Sequence, residues 1–192
     1  MGTSQKEKAA SHERIVAIAA ARIRRDGIDG VSVADIMSDA GLTHGGFYRH
    51  FDSRDDLITE ALALALAEGS ERSRTAADTL GARALRVIIN AYLSPQHRDS
   101  PSTGCAVTAL AEDLSRGKQA DRDLYAQQVE QYIELLADLG PISDDPASHL
   151  PMLTLSALVG GVSMARAVGD PALSQKILQD TRDALLEITN PA

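Results

Sequence analysis

The sequence predicts an all-α protein in two parts, a small three-helix head and a larger helical body joined by one long helix. Three observations carry this. Alanine and leucine dominate a 192-residue chain in which aromatics are 3 % and tryptophan is absent, a composition that favours helix. Apolar residues recur every three or four positions, and few segments alternate as strands do. Glycine or proline ends several periodic runs, at Gly27, Gly41, Pro95, Gly117 and Gly140.

The elements follow in order. Residues 1–11 are polar and read as a frayed, disordered tail. A first helix, 12–26, turns Ile15, Ile18, Ala19 and Ile23 inward and stops at Gly27. Ser32 can cap a second helix carrying Val33, Ile36, Met37 and Ala40 on one face. Gly41 supplies the turn that ends it, and Leu42 can plug that turn into the core. Thr43 is placed to N-cap a third, short helix over 44–50. There Phe47 and Phe51, four apart, can face inward together, leaving His44, Gly45, Tyr48 and Arg49 outside. Ser53-x-x-Asp56 resembles a capping box for a fourth helix that continues through Leu57, Ala61, Leu62, Ala65 and Leu66. Further helices are expected over 80–93, 105–116, 118–139, 146–168 and 171–189. Residues 95–104 read as a polar, proline-containing loop. The division is 1–57 for the head and 58–192 for the body.

Composition narrows the class. One cysteine rules out an internal disulfide and suits a reducing compartment. Residues 1–12 do not read as a signal peptide. The longest apolar run, 152–165, is shorter than the ~20 residues of a membrane span. The expectation is a soluble, cytoplasmic protein with no membrane partner. The net charge is −8, yet residues 1–52 carry seven Lys/Arg against seven Asp/Glu. The acidic excess lies wholly in 53–192, with twelve basic and twenty acidic residues. Arg14, Arg22, Arg24 and Arg25 sit on or near the first helix, where local cations can neutralise phosphates. An acidic body discourages indiscriminate binding; a plain solvated surface is the other reading.

A short helix with a packed back and a polar, aromatic front suits the DNA major groove. Thr43, His44, Gly45 and Gly46 open this helix, where backbone N–H groups can meet phosphate. The paired glycines leave room for close approach of backbone or a thymine methyl; the alternative is an ordinary flexible loop.

The region from about Ile15 to Leu62 resembles the DNA-binding domain of TetR-type transcriptional regulators. The matching residues are Asp-Gly-Ile-Asp-Gly-Val-Ser-Val at 26–33, Ala-Gly-Leu-Thr at 40–43, and Phe47-Tyr48-Arg49-His50-Phe51-Asp52-Ser53-Arg54 with Leu57. The chain departs from many members in having Arg rather than Lys at position 54. The resemblance implies His44, Gly45 and Tyr48 as base-side contacts. It implies Ser32, Gly46, Arg49, His50 and Arg54 as phosphate-side contacts. His50 reads equally as a buried structural histidine. Beyond the first third, only length, helicity and acidity agree.

In the body, the 146–168 segment is apolar almost all round, which requires burial on more than one side. With the stripe on 171–189 it can form a four-helix bundle between two chains. Leu155, Leu158, Val159, Val162, Leu173, Ile177 and Leu185 are the expected interface, and Gly160-Gly161 would permit close approach. The alternative is a cap on a monomeric core. A ligand pocket is expected among Ile88, Tyr92, Cys105, Thr108, Ala109, Glu112, Tyr125, Val129 and Tyr132, which read equally as ordinary core and surface. Cys105 is expected to be a small buried hydrophobe; a redox or electrophile sensor is the alternative. No metal-ligand spacing stands out, since His44 and His50 are six apart and off one helical face. No cofactor and no enzymatic activity are expected, because His97, Asp99 and Cys105 form no ordered nucleophile, base and orienter.

The resulting expectation is a homodimeric, sequence-specific DNA-binding regulator, a repressor released from a palindromic operator by a small organic ligand. The alternatives are an all-α enzyme, a Cys105 sensor, and a helical adaptor that binds no DNA.

Overall fold

The computed structural model describes residues 5–140 and 149–189, and these contain no β-strand. The α-helices are α1 (Gln5–Asp26), α2 (Val33–Asp39), α3 (Arg54–Leu80), α4 (Ala84–Tyr92), α5 (Pro95–Asp99), α6 (Ala106–Ser115), α7 (Gln119–Leu139), α8 (Leu150–Ala167) and α9 (Pro171–Thr189). Three 3-10 turns join them, at His44–Arg49, Gly81–Arg83 and Pro101–Thr103.

The head is α1, α2 and the turn His44–Arg49 folded around Ile15, Ala19, Ile23, Ile36, Met37, Phe47 and Phe51, all buried. Ser32 caps α2 as its sequence position predicts, its hydroxyl accepting the Asp35 N–H at 3.1 Å. Gly41 has φ of +69°, the left-handed conformation that the turn requires. Residues 5–11, expected as frayed, are the first turns of α1. The helix survives there because Ser11 and His12 are partly covered and His12 stacks on Phe51 at 4.5 Å.

The α3 helix has 27 residues, about 40 Å at 1.5 Å per residue. Ser53 caps it through the Asp56 N–H. Its first half buries Leu57, Ala61, Leu62 and Ala65 against α1, and it then runs into the body. A polar seam holds it to α7: Thr59 donates to Asp121 at 3.0 Å, and Gln128 donates to Ser70, which donates to Gln131.

Two expected boundaries move. The helix proposed over 80–93 is a 3-10 turn followed by α4, with Gly81 at φ +51°. The loop proposed over 95–104 holds α5, capped by Ser94 through the His97 N–H, and a 3-10 turn. The segment 146–168 is helical from Leu150; its proposed start, 146–148, lies outside the described residues.

Candidate nucleic-acid interface and effector cavity

The reading segment His44–Arg49 is a 3-10 turn rather than an α-helix. Two consecutive glycines and a length of six residues disfavour α-helical propagation. Thr43 occupies the cap position in extended backbone, but its side chain makes no capping hydrogen bond. The expected two-sidedness is present. Phe47 and Phe51 are 2 % and 4 % exposed and stack at 5.5 Å. Tyr48 is 71 % exposed, and Thr43, His44, Gly45 and Arg49 are exposed beside it. A Cβ at Gly45 would meet nothing within 4 Å, so that side is open.

Beside Arg49 is a recess of about 190 Å³ lined by Lys8, Ser11, Thr43, Gly46, Arg49 and His50. It offers two cations and two hydroxyls. Lys8 and Ser11 belong to the segment read as a tail, so no local pattern points to this wall. His50 is half-buried, and its Nδ1 is buried with no hydrogen-bond partner. Burial first, then the neighbouring His12, Lys8 and Arg49, lower its pKa.

Several expected phosphate cations are committed within the fold. Arg54 is half-buried and donates to the backbone carbonyls of Ile28 and Val31, bracing the α1–α2 turn. Arg22 pairs with Asp39, and Arg25 with Asp26. Arg24 is 6 % exposed and donates to the Ser102 carbonyl and the Glu68 carboxylate, both at 2.7 Å. Arg14, exposed, makes no hydrogen bond or ion pair among the described residues. Ser32 is exposed, and its oxygen already accepts the cap bond, leaving its proton to donate.

In the body, a cavity of about 530 Å³ lies among α3, α4 and the 94–105 segment. Of the nine expected residues, Ile88, Tyr92, Cys105 and Tyr132 line it. Thr108 stands behind that wall, hydrogen-bonded to the Tyr92 hydroxyl at 2.5 Å. Tyr125 donates to the Val107 carbonyl, and Ala109 and Val129 are half-buried against the core. Glu112 is exposed on α6, paired with Arg116, and belongs to the surface. Gly69, Arg72, Val87 and His97 line the cavity without having been expected.

Gly69 is a close-packing position. A Cβ there would lie 2.3 Å from the Tyr132 hydroxyl. Its absence lets that hydroxyl reach the cavity wall, 4.0 Å from Cys105 Sγ. Burial foremost, and the adjacent thiol, raise the Tyr132 pKa, so the hydroxyl stays protonated. His97 is fixed in one tautomer. Its Nε2 accepts the Cys105 N–H at 3.0 Å, so its Nδ1 carries the proton donated to the Tyr92 carbonyl at 2.7 Å. Burial is the largest cause lowering its pKa. Arg166 of α8 donates to the carbonyls of His97 and Arg98, clamping the end of α5.

The expected interface residues divide. Leu155, Leu158, Val162 and Leu185 are at most 6 % exposed and belong to the chain's own core. Val159 and Ile177 are half-buried against it. The apolar side chains left outward are Met152, Leu153 and Met164 on α8 and Leu173 and Ile188 on α9. Gly161 faces Leu93 and Thr181 inside, while Gly160 faces open space. By length and composition α8 is also apolar enough to cross a membrane; in this fold its inward face packs on α7 and α9. No cluster of metal-ligating side chains occurs among the described residues.

Residues 15–61 match the family of bacterial regulatory proteins named for tetR. An uncharacterized HTH-type transcriptional regulator of Mycobacterium tuberculosis is 25 % identical over 185 residues, covering 91 % of this chain and 93 % of its own. A TetR transcriptional regulator from Chloroflexus aurantiacus has the same fold, with a TM-score of 0.79 at 20 % identity over 95 % of this chain and 98 % of its own. The reduced form of Escherichia coli NemR superposes with a TM-score of 0.79 at 15 % identity, over 95 % and 100 % of the two chains.

Proposed function

We propose, from the premise that residues 15–61 make this chain a transcriptional regulator of the tetR family, that it is a cytoplasmic homodimeric repressor released from a palindromic operator by a small organic ligand. The observation that carries the DNA half is the two-sided reading turn, with Phe47 and Phe51 packed inward and His44, Gly45 and Tyr48 standing out. His44, Gly45 and Tyr48 meet base edges. Arg49, the Ser32 hydroxyl and the recess formed by Lys8, Ser11, Thr43, Gly46 and His50 hold phosphates. Arg54 acts one step back, fixing the α1–α2 turn on which Ser32 stands.

A dimer follows from the outward face of α8. Leu153, Ser156, Gly160, Met164 and Ala167 fall three or four apart, with Met152 beside them, a stripe with open space over Gly160. Such a stripe suits close packing against its own copy about a two-fold axis, and two heads can then span two half-sites.

The ligand half rests on the cavity and its mechanical connection to the head. Ser100, Thr103, Gly104 and Cys105 line one wall, and the carbonyl of Ser102, within the same segment, is held by Arg24 of α1. A second tie joins Asp113 of α6 to the Ile28 N–H at 3.1 Å. A ligand that binds better when this wall is displaced shifts α1, and with it the separation of the heads. Cys105 is a buried part of that wall, 6 % exposed, and we assign it a structural role. We assign the chain no catalytic activity.

The test is a fluorescence-anisotropy titration against duplexes from the region upstream of its own gene, at several salt concentrations. The expected result is one palindromic site bound by two chains, far tighter than random duplex, with affinity falling as salt rises. Equal affinity for all sequences would refute the specific-regulator reading.

A further inference from the structure

We propose that the 530 Å³ cavity takes a small organic anion, a carboxylate with an apolar body, and that Arg72 is the residue that selects it. This rests on reading the cavity as the effector site and names the chemistry of its ligand.

In a chain of net charge −8, no aspartate or glutamate lines this cavity. The wall offers one full charge, the Arg72 guanidinium. Arg72 is exposed at the edge of the cavity, whereas three nearby arginines are committed: Arg24 to Glu68 and Ser102, Arg98 to Asp99, Arg166 to two backbone carbonyls. Arg72 makes no hydrogen bond or ion pair among the described residues. It has a planar pair of donors to present and nothing in the described chain to receive them. A carboxylate is the complement, bound through two parallel N–H donors.

The remaining polar groups agree. His97 is neutral, with both ring nitrogens used within the wall, so it adds neither a competing charge nor a free acceptor. Tyr132 is nine-tenths buried, and its protonated hydroxyl has, among the described residues, only the Cys105 thiol as partner, at 4.0 Å. It is a donor aimed at the cavity, placed there by the missing side chain of Gly69. Val87, Ile88 and Ala91 supply the apolar side. The volume lies within the range of sites that bury small organic ligands. A larger neighbouring recess, about 760 Å³, shares Arg72 but also carries Glu68 and Glu71, so it has no anion preference.

The experiment uses three matched series on the full-length protein: octanoate and 4-phenylbutyrate, their neutral amides, and the corresponding amines. Thermal shift and calorimetric titration are read for wild type and Arg72→Gln. The expected result is that an acid raises Tm and binds at least about tenfold tighter than its amide, with the amine weakest. Arg72→Gln removes the acid's advantage, weakening the acid far more than the amide. Tyr132→Phe weakens acid and amide alike, because both lose the same donor. Amide or amine binding as tight as acid overturns the proposal. So does an acid preference that survives Arg72→Gln, or no binding by any of the acids. Operator affinity is measured on the same samples without compound. If it is intact while the ligand series fails, the ligand class is wrong and the regulator reading stands; if it is absent, the regulator reading itself fails.

Discussion

Individual residues show where competing effects are decided. Gly69 sits inside a long helix, where alanine would ordinarily be favoured by about 1 kcal/mol. The 2.3 Å approach of Tyr132 reverses that preference. Gly69→Ala is therefore expected to destabilise the protein by about 1–3 kcal/mol, the cost of forcing a packed side chain aside. Urea denaturation checks it, and a stabilised variant would show that Tyr132 moves freely. His97 decides a pH response. Its folded-state pKa lies below the ordinary imidazole value of about 6.5, so the unfolded chain takes up the proton first. Its stabilising contribution is complete above about pH 6.5 and is lost as pH falls from there through the folded value. His50 acts with the same sign. The urea midpoint should fall between pH 7.5 and 5.5, and His97→Gln should shrink that fall. A midpoint independent of pH would contradict the lowered pKa of the buried His97.

Among the elements, α8 is the one on which the proposed dimer rests. Its inward face is spent on Leu155, Leu158, Val162 and Ala165, and its outward stripe is left exposed in the single chain. Leu153 is 54 % exposed in the single chain, so glutamate there leaves the fold intact. Across a two-fold interface it would bury an unpaired charge. Leu153→Glu should sediment as a folded monomer at concentrations where wild type is a dimer. A wild-type monomer, or an unaffected dimer in the variant, would remove α8 from the interface. Elements also show what was legible in the sequence. The α9 bounds coincide with the expectation because proline opens it and an apolar stripe gives its phase. The α8 face did not, because a helix apolar on all sides has no phase to read. Residues 5–11 read as a tail because their helix depends on the His12–Phe51 contact, which is invisible locally.

For the whole molecule, the head was legible because its turn glycine, caps and phenylalanine pair are local signals. The cavity was half legible. Tyr92, Cys105 and Tyr132 announce themselves by chemistry, but Arg72 and His97 acquire their roles from contacts between distant segments. Arg24 is the clearest case. It reads as one more basic residue for DNA, yet its partner carbonyl lies 78 residues away and the side chain is buried. Charge behaves similarly: the head is neutral by count, but with Arg22, Arg24, Arg25 and Arg54 paired within the fold, Lys6, Lys8, Arg14 and Arg49 are the cations left for the phosphate contacts proposed above. On the proposed reading, specificity rests on the small outward face of the reading turn.

The most direct test of that claim compares wild type with Tyr48→Ala on the operator and on a random duplex of equal length, at one salt concentration. Tyr48 is 71 % exposed, so the variant keeps its fold. Tyr48→Ala should lose about 1–3 kcal/mol on the operator, with random-duplex affinity nearly unchanged. Unchanged operator affinity in a folded Tyr48→Ala protein would contradict it.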